Sequence, residues 1–175
     1  ALYPPEILSE IVKIAREHNL IIFSDEIYDR LVMDGKEHTS TAALAGDDVV
    51  CVTLNGLSKS HCLCGFRCGW LVLSGNKNAY SDIMQGLVKY ASMRLCGNAL
   101  TQLVIPAALA DSEYTKSMIV PGGRLYEQRE ATARGLSKID GITYIKNSAA
   151  FYMFPKLDKA RFGIKDDKKF AMDLL

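Results

Sequence analysis

A chain of 175 residues, 49% hydrophobic and 23% charged, holds enough apolar material for the core of one domain, or of one domain and part of a second. Its net charge of +1 is spread without long like-charge runs, which gives no electrostatic footprint for nucleic acid or an acidic membrane, and no apolar run nears the ~20 residues that span a bilayer. The 5 cysteines are an odd number in a chain able to fold without staples, so reduced thiols are expected, and the N-terminus has no signal-like pattern, so a cytoplasmic location is expected.

Pro4 and Pro5 precede Ile7, Leu8, Ile11, Val12, Ile14 and Ala15, whose helical spacing predicts an amphipathic helix ending near Asn19. Residues 20–23 form a continuous apolar run and are expected to be a strand. A helix that feeds a strand is half of a βαβ crossover, so the chain is expected to begin partway through a domain, and Ala1 in place of a methionine is compatible with that. After Tyr28 the polar stretch around Asp34-Gly35-Lys36 and residues 40–44 read as mostly loop. The β-branched run 49–54 predicts a second, buried strand and residues 69–73 a third. No helix lies between these two, and parallel neighbours need a crossover of a dozen or more residues, so the third strand is expected to run antiparallel to the second. Residues 78–90 and 99–109 read as helices with an irregular piece, Arg94 to Asn98, between them. Residues 113–139 read as a long connecting helix that Pro121-Gly122-Gly123 interrupts. Strands are expected at 141–144 and 151–154, and the start of a helix at 166–175.

The chemistry concentrates in residues 55–70, Asn-Gly-Leu-Ser-Lys-Ser-His-Cys-Leu-Cys-Gly-Phe-Arg-Cys-Gly-Trp, where Lys59 and Arg67 follow the second strand. Gly56, Gly65 and Gly69 are expected to break regular structure around them. Ligands of open α/β sheets collect outside the carboxyl ends of strands. An amine desolvated there, or set near other cations, loses its proton more readily and can form a Schiff base with an aldehyde. His61, Cys62, Cys64 and Cys68 could be read as a metal site, but they crowd into eight residues, whereas structural zinc sites pair their cysteines across a longer loop. Inert thiols and no metal are the expectation.

Ser58-Lys59 followed by Gly65-Phe66-Arg67-Cys68-Gly69-Trp70 resembles the pyridoxal-phosphate attachment segment of class I aminotransferases, and Ser24-Asp25-Glu26-Ile27-Tyr28 resembles the DEIY segment of the same family. Asn55 to Lys59, Met93 to Cys96, Pro121 to Arg129 and Tyr152 to Pro155 look most like its alanine (glutamate–pyruvate) aminotransferase branch. The resemblance runs the whole length of the chain, which covers well under half of a typical member. It implies an α/β fold: the partial large domain of the fold-type-I pyridoxal-phosphate enzymes, with three α/β/α layers and a mainly parallel sheet, then the start of a small α+β domain. By that resemblance residues 1–110 are the C-terminal part of the large domain, 111–140 a linking helix and 141–175 the incomplete small domain.

The same resemblance implies the roles. Lys59 would hold the cofactor and act as the base that moves a proton, Asp25 would stand beside the pyridine nitrogen, and Tyr28 would bond the ring oxygen. Arg67 offers the planar fork that suits a phosphate, with help from Ser58. Gly56 stands where many members carry a serine, so one hydroxyl contact is lost. Arg94 would meet a substrate carboxylate or the second subunit, with a structural salt bridge as the alternative. The ring-stacking aromatic and the arginine for the substrate α-carboxylate are expected outside the chain. The implied activity is amino-group transfer between an amino acid, here alanine, and a 2-oxo acid, here 2-oxoglutarate, by a homodimer with neither nucleic acid nor membrane as partner. The alternatives are a carbon–sulfur lyase on the same scaffold or a non-catalytic fragment, and this stretch alone is expected to be inactive.

Overall fold

Proline opens the first helix of the computed structural model, which describes residues 2–175 and leaves Ala1 outside the described residues. Helix α1 runs Pro5–Glu17, with Pro5 at a position whose missing N–H would have had no helical acceptor. Its end is closed by a left-handed Asn19 at φ 50°, with Leu20 N–H donating to the Ala15 carbonyl at 2.8 Å and Asn19 N–H to that of Arg16 at 3.4 Å. Asparagine tolerates this conformation, and the paired bonds satisfy carbonyls the helix leaves orphaned. The turn consumes Leu20 and Ile21, so strand β1 is Ile22–Asp25, two residues later than the apolar run suggests. Asp25 is therefore the last residue of the strand rather than lying beyond its end.

Leu8, Val12 and Ala15 of α1 are buried, while Ile7, Ile11 and Ile14 of the same stripe remain 48%, 41% and 51% exposed. The buried side packs on helix α2, Thr41–Ala45, which forms where the sequence reads as loop. Small residues carry that contact: Val12, Ala15, Ala45, Val49 and Cys51 make one buried cluster. Strand β2, Cys51–Gly56, lies parallel to β1 with Asp25 opposite Leu54. Strand β3, Gly69–Ser74, runs antiparallel to β2, as its short connection requires. The sheet order is β1-β2-β3, with one parallel and one antiparallel pair, so over these three strands the sheet is mixed.

Gly56 and Gly69 do not break this sheet but face each other within it. A Cβ on Gly56 would lie 2.9 Å from the Cys68 carbonyl oxygen, and one on Gly69 would lie 3.0 Å from that of Asn55. Only glycine lets the two backbones approach this closely.

Helices α3, Lys77–Met93, and α4, Ala99–Ala110, bracket the irregular piece, each with an asparagine side chain accepting from its first turn. Helices α5, Glu113–Ile119, and α6, Arg124–Leu136, are separated at the expected proline and glycines. Strand β4, Ile142–Thr143, pairs antiparallel with β5, Lys156–Leu157, and α7 is Asp167–Asp173.

Residues 151–154 are not a strand. The segment before them is captured instead: Met33 N–H donates to the Ser148 carbonyl at 2.8 Å and Ala150 N–H to that of Leu31 at 2.9 Å. Ala150 then turns left-handed at φ 59° and projects Phe151 and Tyr152 onto Tyr28. Phe151 and Tyr152 pack on an aromatic ring rather than joining a ladder, while Phe154 stays exposed. Arg129 of α6 locks the same junction. Its side chain, 3% exposed, grips Asp34 with two bonds of 2.6 and 2.7 Å and donates to the Asn147 carbonyl at 3.0 Å. Glu130 lies 2.9 Å from this guanidinium and 2.6 Å from Lys146. The Arg129 bond, outweighing desolvation, holds the Asp34 carboxyl below the ordinary aspartate value.

Candidate functional site

Strands β1 and β2 are parallel, so their carboxyl ends open on one edge of the sheet, where Asp25 ends the first and Gly56 the second. The chain leaves β2 through Leu57, which is fully buried and whose carbonyl accepts from both His61 and Leu63 N–H at 3.3 Å. Ser58 and Lys59 sit half-buried on the crest of the turn this makes. Its far end is pinned by a buried network. His61 Nε2–H donates to the Ala108 carbonyl at 2.7 Å, which leaves Nδ1 to accept the Ser60 hydroxyl at 2.8 Å, and the Thr115 hydroxyl donates to the Ser60 carbonyl at 2.8 Å.

The turn after β1 is tied to the same helix end, since Arg30 donates to the Leu109 carbonyl at 3.3 Å. The last carbonyls of α4, orphaned by the helix, therefore hold both site turns. Asn55 adds a third tie, donating to Asp29 at 2.9 Å while its own oxygen accepts Gly56 N–H at 2.7 Å. Sequence reasoning considered His61 only as a metal ligand and missed Asn55, Arg30 and Thr115, whose partners lie 26 to 79 residues away. No local pattern marks such pairs.

The Lys59 ammonium lies 6.0 Å from the centroid of the Phe151 ring. Phe151 meets Tyr28 edge-on at 5.3 Å, and the Tyr28 hydroxyl donates to that of Tyr152 at 2.9 Å. Lys59 and Tyr28 are thus joined through one aromatic side chain, which sequence reasoning placed in a strand. Burial pushes the Tyr28 phenol well above its ordinary value, and the Tyr152 bond and the Asp25 charge push the same way.

Asp25 is exposed and, among the described residues, accepts only Ile27 N–H, at 3.2 Å. Its neighbour Glu26 faces inward, where Ser24, Ser40 and the Thr41 N–H donate to it at 3.0 Å and His38 bonds it at the same distance. Burial pushes the Glu26 carboxyl up, but the four bonds outweigh it and hold the group below the ordinary glutamate value.

Arg67 follows the short 3₁₀ turn Cys64–Phe66 in the left-handed region, at φ 53°. That conformation costs a non-glycine residue about 1 kcal/mol. Its exposed guanidinium donates to the Cys64 carbonyl at 2.7 Å, which leaves most of its five N–H donors uncommitted. Among the described residues Lys59, Asp25 and Arg67 form no ion pair. Arg94, at the exposed end of α3, has no side-chain hydrogen bond or ion pair among the described residues, so nothing in the structure joins it to the others.

His61 and Cys68 are buried while Cys62 and Cys64 are exposed, and among the described residues no three His, Cys, Asp or Glu side chains gather as metal ligands. No described helix is long and apolar enough to cross a membrane. The edge of the sheet thus offers an amine, a carboxylate, a phenol, a hydroxyl and a guanidinium. This donor set suits an aldehyde on an aromatic ring with a basic nitrogen and a phosphate.

Comparison with known proteins bears on the same stretch. The family model described as aminotransferase class I and II matches residues 1–175. The glutamate-pyruvate aminotransferase AlaA of Escherichia coli K12 is 49% identical over 175 residues, covering 100% of this chain and 43% of that protein. An alanine aminotransferase of Mycobacterium bovis is 41% identical, with 100% and 41% covered. Among solved structures, an aminotransferase from Escherichia coli superposes with a TM-score of 0.94 at 48% identity, covering 99% of this chain and 43% of the other. The alanine aminotransferase from Pyrococcus furiosus gives 0.82 at 34% identity, covering 100% and 43%. The chain spans less than half the length of the curated relatives it matches.

Proposed function

Because the chain belongs to the class I and II aminotransferases, we propose that the full encoded protein moves an amino group between alanine and 2-oxoglutarate with pyridoxal phosphate as cofactor. The names of its relatives in Escherichia coli and Mycobacterium bovis support that substrate pair. The observation that carries the reading is the gathering of Lys59, Asp25 and Tyr28 at one sheet edge, with the lysine and the carboxylate unpaired among the described residues. Pyridoxal phosphate, the cofactor of this family, draws electrons from the substrate α-carbon when bound.

The chain's own residues do the rest in this reading. Lys59 Nζ would hold the cofactor and its free amine would carry the proton taken from the substrate α-carbon. The Asp25 carboxylate keeps positive charge on the ring nitrogen, Tyr28 Oη donates to the ring oxygen, and Arg67 with Ser58 Oγ binds the phosphate. The close Gly56 and Gly69 pair fixes the spacing between the Lys59 turn and the Arg67 loop. Residues 1–110 belong to the large domain, 111–140 to the link and 141–175 to the small domain of a cytoplasmic homodimer.

The test is pyruvate production from alanine and 2-oxoglutarate with saturating cofactor. Glutamate and pyruvate should appear in equal amounts. Ammonia in place of a new amino acid would identify an eliminase and overturn the reading. The 175-residue chain assayed alone should be silent, since Ile7, Ile11 and Ile14 of α1 and the surfaces of α3 and α4 stay open to solvent.

A further inference from the structure

Two phenols meet in the aromatic cluster whose Phe151 ring lies 6.0 Å from the Lys59 ammonium. Tyr28 Oη and Tyr152 Oη are 2.9 Å apart, and their rings cross at 88° with centroids 5.7 Å apart. Phe151 closes the cluster, 5.3 Å from the Tyr28 ring and 5.2 Å from that of Tyr152. The arrangement is built into the backbone, because the Ala150 N–H bond to the Leu31 carbonyl and the left-handed Ala150 aim both rings at Tyr28.

A phenol has one proton to give and two lone pairs to receive. In the structure Tyr28 gives its proton to Tyr152. If Tyr28 gives it to another acceptor, the bond between the phenols persists only by reversing, with Tyr152 donating. We propose, on the reading of Tyr28 given above, that Tyr152 is a positioning residue: it fixes the placement of Tyr28 Oη within the cluster and, by donating to it, makes Tyr28 a stronger donor toward the cofactor's ring oxygen. Successive hydrogen bonds polarise one another in this way. Tyr152 is 51% exposed, so water competes for the same lone pair and the effect is modest.

The test uses the full encoded protein loaded with pyridoxal phosphate and reads the pH midpoint of its visible colour change rather than turnover. A hydrogen bond to the ring oxygen favours the form in which that oxygen is negative, so weakening it raises the midpoint. Tyr28→Phe should raise it most, and Tyr152→Phe, which keeps the ring, by about half a unit, the size of one modest hydrogen bond. The double variant should match Tyr28→Phe alone, because Tyr152 acts through Tyr28. An unmoved midpoint in Tyr152→Phe, or full additivity in the double variant, overturns the proposal. If Tyr28→Phe leaves the midpoint in place while the colour stays on Lys59, the role of Tyr28 falls and the inference with it. A parent protein with no lysine-linked colour overturns the functional reading itself.

Discussion

The Arg129 side chain is 3% exposed and has its guanidinium divided between Asp34, Glu130 and the Asn147 carbonyl, with the Tyr126 ring 4.7 Å away, whereas Arg67 lies on the surface and holds one carbonyl of its own loop. The carboxylates repeat the contrast within two residues: Glu26 is buried with four partners, and Asp25 is exposed with one backbone N–H. Charges that serve the fold are satisfied by the fold, since a buried group left unpaired is costly. Two of the open charges, Asp25 and Lys59, lie at and just past the carboxyl ends of β1 and β2, where a ligand can complete them.

Breaking the satisfied side should have the largest effect. Arg129→Met strands the Asp34 carboxylate and uncouples α6 from residues 31–34 and 146–150, so the urea midpoint should fall by the equivalent of about 3 kcal/mol. A loss below about 1 kcal/mol would mean that the hub is ornamental to stability. Gly56→Ala comes next, at about 2 kcal/mol, because the added methyl meets the Cys68 carbonyl backbone and β3 must shift.

On the open side, Arg67→Lys should leave stability nearly unchanged and weaken cofactor binding about tenfold, equivalent to about 1.4 kcal/mol. Asp25→Asn should do the reverse, cutting turnover far more than affinity. Equal loss of cofactor in both variants would merge roles that are separated here. The smallest effect is pH-dependent. The folded Glu26 carboxyl titrates below its unfolded value, so its stabilisation is present above the ordinary glutamate range and disappears as pH falls through the folded value. Glu26→Gln should therefore flatten the acid limb of stability by about 1 kcal/mol, read from melting temperature against pH.

What could be read from the sequence follows the range of the interactions. The stripe of α1, the antiparallel turn into β3 and the break at Pro121 to Gly123 are local, and periodicity or connection length reveals them. Helix α2 has 5 residues, too few for a periodic signal, and exists because Thr41 and Ala45 fit under α1. Arg129 and Asp34 lie 95 residues apart, and Tyr28 and Tyr152 lie 124 apart. Nothing in either neighbourhood announces its partner, so a run of aromatics that closes a site looked like a strand. Glycine misled in the same way: Gly56 reads as a loop breaker, yet the fold uses its missing Cβ inside a ladder.

The most direct test of the central claim, that the unpaired lysine on the β2 turn is the one that takes the cofactor, is borohydride reduction of the full encoded protein with pyridoxal phosphate, followed by peptide mapping. A single pyridoxyl group on Lys59 is the expected result. The label on any other lysine, with Lys59 unmodified, would contradict the account.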